Sequence, residues 1–167
     1  MQNHKRPPAS LLFIFGGSGD LNQRKLSPAL YNLFIDGWMP EKFGIVGIGR
    51  TAYSDEQFRK HLLDGIGKYS RRKGEQNGKW QDFSKNINYL QLDVDHEEEY
   101  QSIAEIVKQK EAEFGEHPNV IFYMAVAPQL VPSIAVKLGP LNICADTKCT
   151  RIVEEKPFGQ DLQSAHA

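Results

Sequence analysis

The sequence has few of the residues that hold a small protein together through cross-links or metal ions. Cys144 and Cys149 are the only cysteines among 167 residues. No histidine or carboxylate cluster gives them the spacing of metal ligands, so we predict reduced thiols and no metal site. A buried hydrophobic core must stabilise the chain instead, and its length is sufficient for one ordinary domain but not for two.

The chain also lacks a long apolar run and an excess of one charge. The longest unbroken apolar run near the N-terminus covers residues 11–15, which is too short to span a bilayer or to form a signal-peptide core. With 20 basic and 21 acidic residues the formal net charge is −1, so no overall field attracts nucleic acid or an anionic membrane. We therefore expect a cytoplasmic protein with no nucleic-acid or membrane partner.

Apolar segments of strand length alternate with segments of helical periodicity along most of the chain. Residues 1–9 lack such a pattern and are predicted to form a flexible leader, so the fold begins at Ser10. The predicted strands cover residues 10–15, 43–49, 87–94, 120–126 and 151–155. Because βαβ crossovers are right-handed, this alternation predicts an α/β fold with a doubly wound, mostly parallel, Rossmann-like sheet of strand order 3-2-1-4-5.

The helical segments add predictions about packing and capping. A buried stripe with helical spacing is predicted after the first strand at Leu26, Ala29, Leu30, Leu33 and Phe34. Pro28 within that stripe predicts a kink or a restart of the helix. Ser54 and Gln57 have the spacing of a capping box, and Asp95 with Glu98 is predicted to cap a later helix in the same way.

The first predicted strand runs directly into a glycine-rich turn, and helix-compatible sequence follows. The turn comprises Gly16, Gly17, Ser18, Gly19, Asp20 and Leu21. Glycines at such a strand exit let the backbone approach a diphosphate, whose charge is stabilised by amide N–H groups and the helix dipole. The turn is not a P-loop, because no Gly-Lys-Ser or Gly-Lys-Thr follows it. It predicts a dinucleotide-binding domain over residues 10–167, although such an exit can also be merely a tight turn.

The exits of the next three strands supply further candidate cofactor ligands. Arg50 follows the second strand, where NAD-binding enzymes place a carboxylate. An arginine there suits a 2′-phosphate instead, so NADP is favoured, with dual use left open. Asp93 and Val94 follow the third strand and either flank an adenine or form only an acidic capping turn. Ala125 ends the fourth strand with a small side chain that would let the cofactor cross the sheet.

Lys156 and Pro157 follow the fifth strand, where a nicotinamide ring and a substrate would meet. A lysine there can pair with a substrate phosphate or donate a hydrogen bond to a sugar oxygen. Pro157 fixes the turn and permits a cis peptide bond that would direct the lysine. The two residues are therefore the candidate substrate site, with Lys156 also reaching the cofactor. A simple exposed lysine is the open alternative.

Several motifs, taken together, resemble the glucose-6-phosphate dehydrogenase family. They are Gly-Gly-Ser-Gly-Asp-Leu at 16–21, Lys25, Gly-Ile-Gly-Arg at 47–50, Tyr-Met-Ala-Val-Ala-Pro at 123–128 and Glu-Lys-Pro-Phe-Gly at 155–159. The resemblance implies oxidation of glucose 6-phosphate, a sugar phosphate, to 6-phosphogluconolactone with NADP, the first step of the pentose phosphate pathway. It also implies that residues 16–21 are the cofactor loop, that Arg50 binds the 2′-phosphate, and that Lys156 contacts substrate and cofactor.

The chain departs from the family pattern at one residue and in its length. Asn22 stands where the family usually has alanine. Family members are much longer, and their Asp-His-Tyr-Leu-Gly-Lys-Glu substrate motif and general-base histidine lie beyond Ala167. The resemblance thus implies a truncated, amino-terminal coenzyme-binding part that has no substrate domain, contains no catalytic residue and is inactive alone. We expect the full-length enzyme to be a homo-oligomer, and the open sheet edge predicts self-association of this chain.

Two other functions fit parts of the sequence. A non-catalytic NADP-binding sensor or regulator would use the same glycine turn and Arg50 without a substrate site. A short-chain dehydrogenase would account for Tyr69 and Lys73, which have the Tyr-x-x-x-Lys spacing of that class. That pair lies between the second and third strands, however, and the class requires it after a later strand.

Overall fold

The computed structural model describes residues 6–72, 78–143 and 147–155. Within these ranges the chain forms one sheet of five strands in the order β3-β2-β1-β4-β5, and every neighbouring pair is parallel. The strands are β1 (Ser10–Phe15), β2 (Phe43–Gly49), β3 (Ile87–Gln91), β4 (Asn119–Met124) and β5 (Thr150–Glu154). The predicted fold class and strand order are confirmed, although β3 and β4 end earlier than predicted.

Helices cover both faces of this sheet. One face carries α1 (Ser27–Ile35), α2 (Asp55–Tyr69) and the short α3 (Trp80–Ser84), whereas the other carries α4 (Gln101–Phe114) and α5 (Val131–Leu138). Between the sheet and the helices on each face lies a separate cluster of buried aromatic and aliphatic side chains. The sheet is therefore doubly wound, as the alternation of segments predicts.

The central strands are almost entirely apolar because both of their faces are buried. Phe13 and Phe15 of β1 pack towards α4 and α5, while Ile14 packs towards α1 and α2. The parallel register places Phe15 beside Ile48 of β2 and Met124 of β4. As a consequence, the carboxyl ends of neighbouring strands meet at one edge of the sheet, and the loops that follow them lie close together.

The helix after the glycine turn is rotated relative to the sequence-based prediction. Helical structure begins at Asp20, passes through a π-helical segment at Asn22–Leu26 and restarts as α1, which confirms the restart predicted at Pro28. The predicted buried stripe is wrong at Ala29, which is exposed, and at Leu33, which is 45% exposed. The wider turn of a π-helix shifts the face that follows it. The buried residues of α1 are Ser27, Pro28 and Tyr31.

One of the two predicted helix caps is present. The Ser54 hydroxyl accepts the Gln57 N–H at 3.2 Å, and the Gln57 side-chain oxygen accepts the Ser54 N–H at 2.8 Å, which confirms the capping box of α2. The predicted cap by Asp95 and Glu98 is wrong. A 3₁₀ turn at Glu97–Tyr100 precedes α4, and neither helical segment has a side-chain cap at its start.

Three further sequence-based expectations concern cysteines, membranes and metals. Cys149 is disulfide-bonded, so the expectation of reduced thiols is wrong for this residue. Within the described ranges, no helix combines the length and apolar character needed to cross a bilayer. The same ranges contain no group of three or more histidine, cysteine or acidic side chains arranged to hold a metal ion. Lys156, Pro157 and Lys73 lie outside the described residues.

Candidate functional site

A cleft of about 360 Å³ lies at the carboxyl ends of β1 to β4. It is centred where the strand order reverses between β1 and β4, the position at which doubly wound sheets bind their ligands. The fold brings together residues from four different strand exits. The predicted cofactor residues that line the cleft are Gly16, Ser18, Gly19, Arg50, Asp93, Val94 and Ala125.

Gly16 makes a close approach between the exits of β1 and β4. Its φ angle of +79° lies in the left-handed region that favours glycine. A Cβ atom at this position would lie 2.2 Å from the carbonyl oxygen of Ala125, far inside van der Waals contact. The Ala125 N–H donates to the carbonyl of Phe15 at 2.9 Å, so strand pairing continues up to the cleft. Any side chain at Gly16 would force the two exits apart.

The amide groups of Gly17 and Gly19 are used within the turn itself. The Gly17 N–H donates to the carbonyl of Ile48 at 2.8 Å, and the Gly19 N–H donates to the carbonyl of Gly16 at 2.9 Å. A Cβ atom on Gly17 would lie 2.6 Å from the backbone of β2, so this glycine permits contact between the turn and that strand. Amides able to hold an anion are those of the first helical turn, from Asp20 onwards, which have no intrahelical acceptor.

Asn22 holds the glycine turn against the helix, a role that sequence analysis missed. The residue is fully buried. Its Nδ2 donates to the carbonyl of Gly17 at 2.7 Å, and its Oδ1 accepts the Ser27 hydroxyl at 2.8 Å. Because both ends of the buried amide have partners, its burial carries no unsatisfied polar group. The only sequence signals were an asparagine where the family usually has alanine and a serine five positions later.

Asp20 and Leu21 do not line the cleft. The Asp20 carboxylate lies 3.2 Å from the Arg24 guanidinium, and both side chains are more than half exposed. Leu21 is half-buried at the start of the helix. Contacts from these side chains to a cofactor stay predictions.

Arg50 provides a permanent cation at the exit of β2. Its side chain is exposed and lines the cleft, and its carbonyl accepts the Gln91 side-chain amide at 3.3 Å. The neighbouring Thr51 hydroxyl lies 3.3 Å from the Ser18 hydroxyl of the glycine turn. A guanidinium and two hydroxyls from two strand exits therefore line the same cleft. This group can donate hydrogen bonds to a phosphate or to ribose oxygens.

The phenol of Tyr89 adds a buried donor next to this polar group. Its hydroxyl has no hydrogen-bond partner of good geometry among the described residues. A Cβ atom on Gly49 would lie 2.9 Å from the Tyr89 hydroxyl and 3.1 Å from the Ser18 hydroxyl, so a larger residue there would have to displace one of these side chains. Burial raises the pKa of Tyr89, and the nearby hydroxyls of Ser18 and Thr51 partly oppose the rise. The phenol therefore stays protonated at neutral pH.

Asp93 and Val94 both organise their loop and line the cleft. The Asp93 carboxylate accepts the Asp95 N–H at 3.1 Å, and the Asp93 N–H donates to the Glu99 carboxylate at 2.7 Å. The carbonyl of Val94 accepts the Lys137 ammonium of α5 at 2.5 Å. Asp93 therefore stabilises a turn within its own loop but caps no helix, and it also lines the cleft.

Tyr123 links β4 to the chain after β5. Its hydroxyl donates to the carboxylate of Glu155, the last residue described before Lys156. Burial raises the pKa of Tyr123 to about 12, and the hydrogen bond to Glu155 and the charge of that carboxylate act in the same direction. The candidate substrate residues Lys156 and Pro157 lie outside the described residues, and their role stays a prediction.

Tyr69, one member of the Tyr-x-x-x-Lys pair, does not line the cofactor cleft. It is the last residue of α2, and the Arg24 guanidinium lies 5.2 Å from the centre of its ring. Tyr69 therefore packs on the outside of the helical layer, as an exposed tyrosine beside a cation can. This placement gives the short-chain dehydrogenase alternative no support.

Comparison with known proteins identifies the family. The model of the glucose-6-phosphate dehydrogenase NAD-binding domain matches residues 13–167. Glucose-6-phosphate 1-dehydrogenase of Bacillus subtilis (strain 168) is 34% identical over all of this chain, which covers 33% of that enzyme. The Leuconostoc mesenteroides enzyme is 33% identical over 93% of this chain and 31% of its own length.

A solved structure of glucose-6-phosphate dehydrogenase in complex with its substrate glucose-6-phosphate agrees with the sequence comparisons. It superimposes with a TM-score of 0.84 at 28% identity, over 99% of this chain and 34% of that one. The chain thus spans about a third of the length of the relatives it matches. On this agreement of family model, sequence and structure, the chain belongs to the glucose-6-phosphate dehydrogenase family and corresponds to its NAD-binding domain.

Proposed function

We propose that this chain is the coenzyme-binding part of a glucose-6-phosphate dehydrogenase that uses NADP. The observation that carries the proposal is that the glycine turn and Arg50 line the same cleft. A dinucleotide needs close backbone approach for its diphosphate, and NADP needs a cation at the second strand exit for its 2′-phosphate. This cleft combines the two features.

The glycine turn fits a diphosphate. The place of a Cβ on Gly16 is so near the Ala125 carbonyl that only hydrogen can occupy it, which lets the exits of β1 and β4 meet beside the cleft. The first helical turn, beginning at Asp20, offers N–H groups and the positive end of the helix dipole. These groups would hold the diphosphate without a positively charged side chain.

The exit of β2 favours NADP over NAD. Arg50 offers a planar array of N–H donors that suits a phosphate monoester, and Thr51 and Ser18, whose hydroxyls lie 3.3 Å apart, line the same cleft. The carboxylate of Asp93, which lines the same cleft, accepts a backbone N–H from Asp95 within its own loop. The charged side chain at the exit of β2 is therefore a cation, whereas NAD would require a carboxylate there to accept its ribose hydroxyls.

When bound, NADP would accept the hydride as glucose 6-phosphate is oxidised to 6-phosphogluconolactone, the first step of the pentose phosphate pathway. The chain's own residues would bind and orient the nucleotide, and Lys156 with Pro157 would contact the sugar phosphate. The hydrogen bond from Tyr123 to Glu155 anchors the residue before Lys156 and so would help to place it. We propose a cytoplasmic location, with neither nucleic acid nor a membrane as partner.

We also propose that residues 10–167 form one dinucleotide-binding domain after a leader at residues 1–9, and that this chain alone does not catalyse the reaction. No histidine is present among the described residues that line the cleft, so a general base would come from elsewhere in a homo-oligomeric full-length enzyme. Mixing the chain with glucose 6-phosphate and NADP should give no NADPH absorbance. Turnover under these conditions would contradict the proposal that this chain alone does not catalyse the reaction.

Isothermal titration with NADP and with NAD tests the cofactor assignment. Arg50→Ala should weaken NADP binding by about 10-fold to 100-fold and leave NAD binding nearly unchanged, because it removes charge-assisted hydrogen bonds to one phosphate. Arg24→Ala is the matched control, since Arg24 is an exposed arginine near the same turn whose guanidinium pairs with Asp20. Equal losses of NADP and NAD, or no binding of either nucleotide, would contradict the assignment.

A sensor without a substrate site would bind NADP in the same way. The two functions can be distinguished by testing a longer version of the chain that includes the remaining length of the relatives. An enzyme of that length oxidises glucose 6-phosphate, whereas a sensor binds NADP without turnover.

A further inference from the structure

A second, polar pocket adjoins the cofactor cleft. It has a volume of about 430 Å³ and is lined by Arg50, Gln91, Asp93, His96 and Glu99. Arg50 and Asp93 line both the cleft and this pocket. A phosphate bound by the Arg50 guanidinium would therefore also be exposed to the charges of His96 and Glu99.

The charges in this polar pocket are linked by hydrogen bonds. The His96 Nδ1 lies 3.1 Å from one carboxylate oxygen of Glu99, and the other oxygen accepts the Asp93 N–H at 2.7 Å. The Asp93 N–H and then His96 hold the pKa of Glu99 below its usual value. The hydrogen bond to Glu99 raises the pKa of His96 above its usual value. Glu99 thus stays charged at neutral pH, and His96 keeps its proton to a higher pH than an unperturbed histidine does.

We propose that His96 is a second determinant of the preference for NADP over NAD, because its positive charge cancels that of Glu99 in the pocket beside Arg50. The inference rests on the proposed function, since it assumes that a nucleotide occupies the cleft. With His96 charged, the cations Arg50 and His96 balance the anions Asp93 and Glu99. With His96 neutral, the pocket carries an excess negative charge that repels a 2′-phosphate. NAD, which lacks that phosphate, is insensitive to the change.

Several other charged groups surround His96. Asp95, Glu97 and Glu98 lie on the same loop and turn, and all are exposed. Lys137 approaches from α5 and donates to the Val94 carbonyl. Carboxylates and lysine do not titrate between about pH 6 and about pH 9. Among the residues that line the pocket, His96 is therefore the group whose charge changes over this range.

The sign of the expected effect follows from the raised pKa of His96. The imidazolium is present at low pH and is lost as pH rises through that raised value. The contribution of the His96 charge to NADP affinity is therefore also lost as pH rises. The phosphate itself becomes more negative above about pH 6, which affects wild type and variants alike. The ratio of wild-type to variant affinity at each pH removes this shared contribution.

Titrations of His96→Gln with NADP and NAD at about pH 6 and about pH 9 test the inference. Glutamine can still hydrogen-bond to Glu99 but cannot carry the charge. The variant should bind NADP roughly threefold more weakly than wild type at the lower pH and equally at the higher pH, the effect of one exposed charge. NAD binding should be unchanged at both, which also reports that the variant is folded. As a second variant, Glu99→Gln should bind NADP more tightly than wild type at the higher pH.

His117→Gln is the matched control. His117 also pairs with a glutamate, its Nδ1 lying 3.3 Å from the Glu111 carboxylate, but it precedes β4 and lines neither pocket. It should behave as wild type. If wild type binds NADP through Arg50 and His96→Gln matches wild type at both pH values, the inference about His96 fails alone. If wild type binds neither nucleotide, the proposed function fails and the inference fails with it.

Discussion

Replacing Gly16 by alanine tests the close approach of β1 and β4 that forms the cleft. An alanine at the observed φ of +79° costs about 1–2 kcal/mol in backbone conformation. The added Cβ would lie 2.2 Å from the oxygen and 2.9 Å from the carbon of the Ala125 carbonyl, so backbone rather than a flexible side chain must move. Such overpacking adds about 1–3 kcal/mol. We expect the free energy of unfolding to fall by about 2–5 kcal/mol.

Gly37→Ala separates the two contributions. Gly37 has a φ of +76°, and no atom lies within 4 Å of a Cβ built there, so only the backbone contribution of about 1–2 kcal/mol applies. Urea unfolding followed by circular dichroism measures both variants, and titration with NADP shows whether each still binds. Gly16→Ala should be the less stable and should lose NADP binding, whereas Gly37→Ala should keep it. Equal unfolding free energies for the two variants would refute the steric account of the cleft.

Three further predictions concern the turn, an alkaline titration and the sheet edge. Asn22→Asp places a carboxylate against the Gly17 carbonyl in a buried position, and urea unfolding should show a loss of roughly 3 kcal/mol; an unchanged midpoint would count against the role of Asn22. Burial raises the pKa of Tyr100 to about 12. The unfolded chain therefore releases this proton first, near pH 10, and the contribution of Tyr100 to stability is lost as pH rises from about 10 to about 12. Tyr100→Phe should flatten that part of the stability curve, and an unaltered curve would disprove the assignment. The edge strand β5 leaves Ile152 47% and Val153 37% exposed, so sedimentation should show concentration-dependent self-association that Ile152→Lys reduces; a strictly monomeric wild-type chain at high concentration would exclude it.

The strand order could be predicted because the central strands are unambiguous and few topologies remain. β1 and β2 are almost entirely apolar, right-handed crossovers leave few orders for the alternating segments, and the glycine turn after β1 favours the dinucleotide-binding order among them. The end of β3 could not be predicted. Leu92 is buried and Val94 is partly buried, yet both lie beyond the last strand residue, Gln91. Their apolar character reflects packing of the loop rather than pairing in the sheet.

The helix after the glycine turn shows what periodicity alone does not encode. The π-helical segment at Asn22–Leu26 rotates α1, so Leu33 is exposed although it fits a regular buried stripe. The rotation coincides with hydrogen bonds of Asn22 with Gly17 and Ser27, each five residues away, which regular helical spacing does not reveal. Regular helical spacing is therefore a poor guide where a buried polar side chain sets the start of a helix.

The site was predictable to the extent that it depends on strand exits. The exits of parallel strands lie at the same edge of the sheet, which is why Gly16, Arg50 and Ala125 come together. Contacts between side chains of different exits were not predictable, and the proximity of Ser18 and Thr51 is an example. Such contacts depend on the twist of the sheet and on the path of each loop, and both are properties of the folded chain.

A crystal structure of the chain with NADP tests the central claim most directly. The account predicts the diphosphate beside Gly16 and the first helical turn, and the 2′-phosphate within hydrogen-bond distance of the Arg50 guanidinium. A nucleotide bound outside the cleft, or bound within it with its 2′-phosphate directed away from Arg50, would contradict the account.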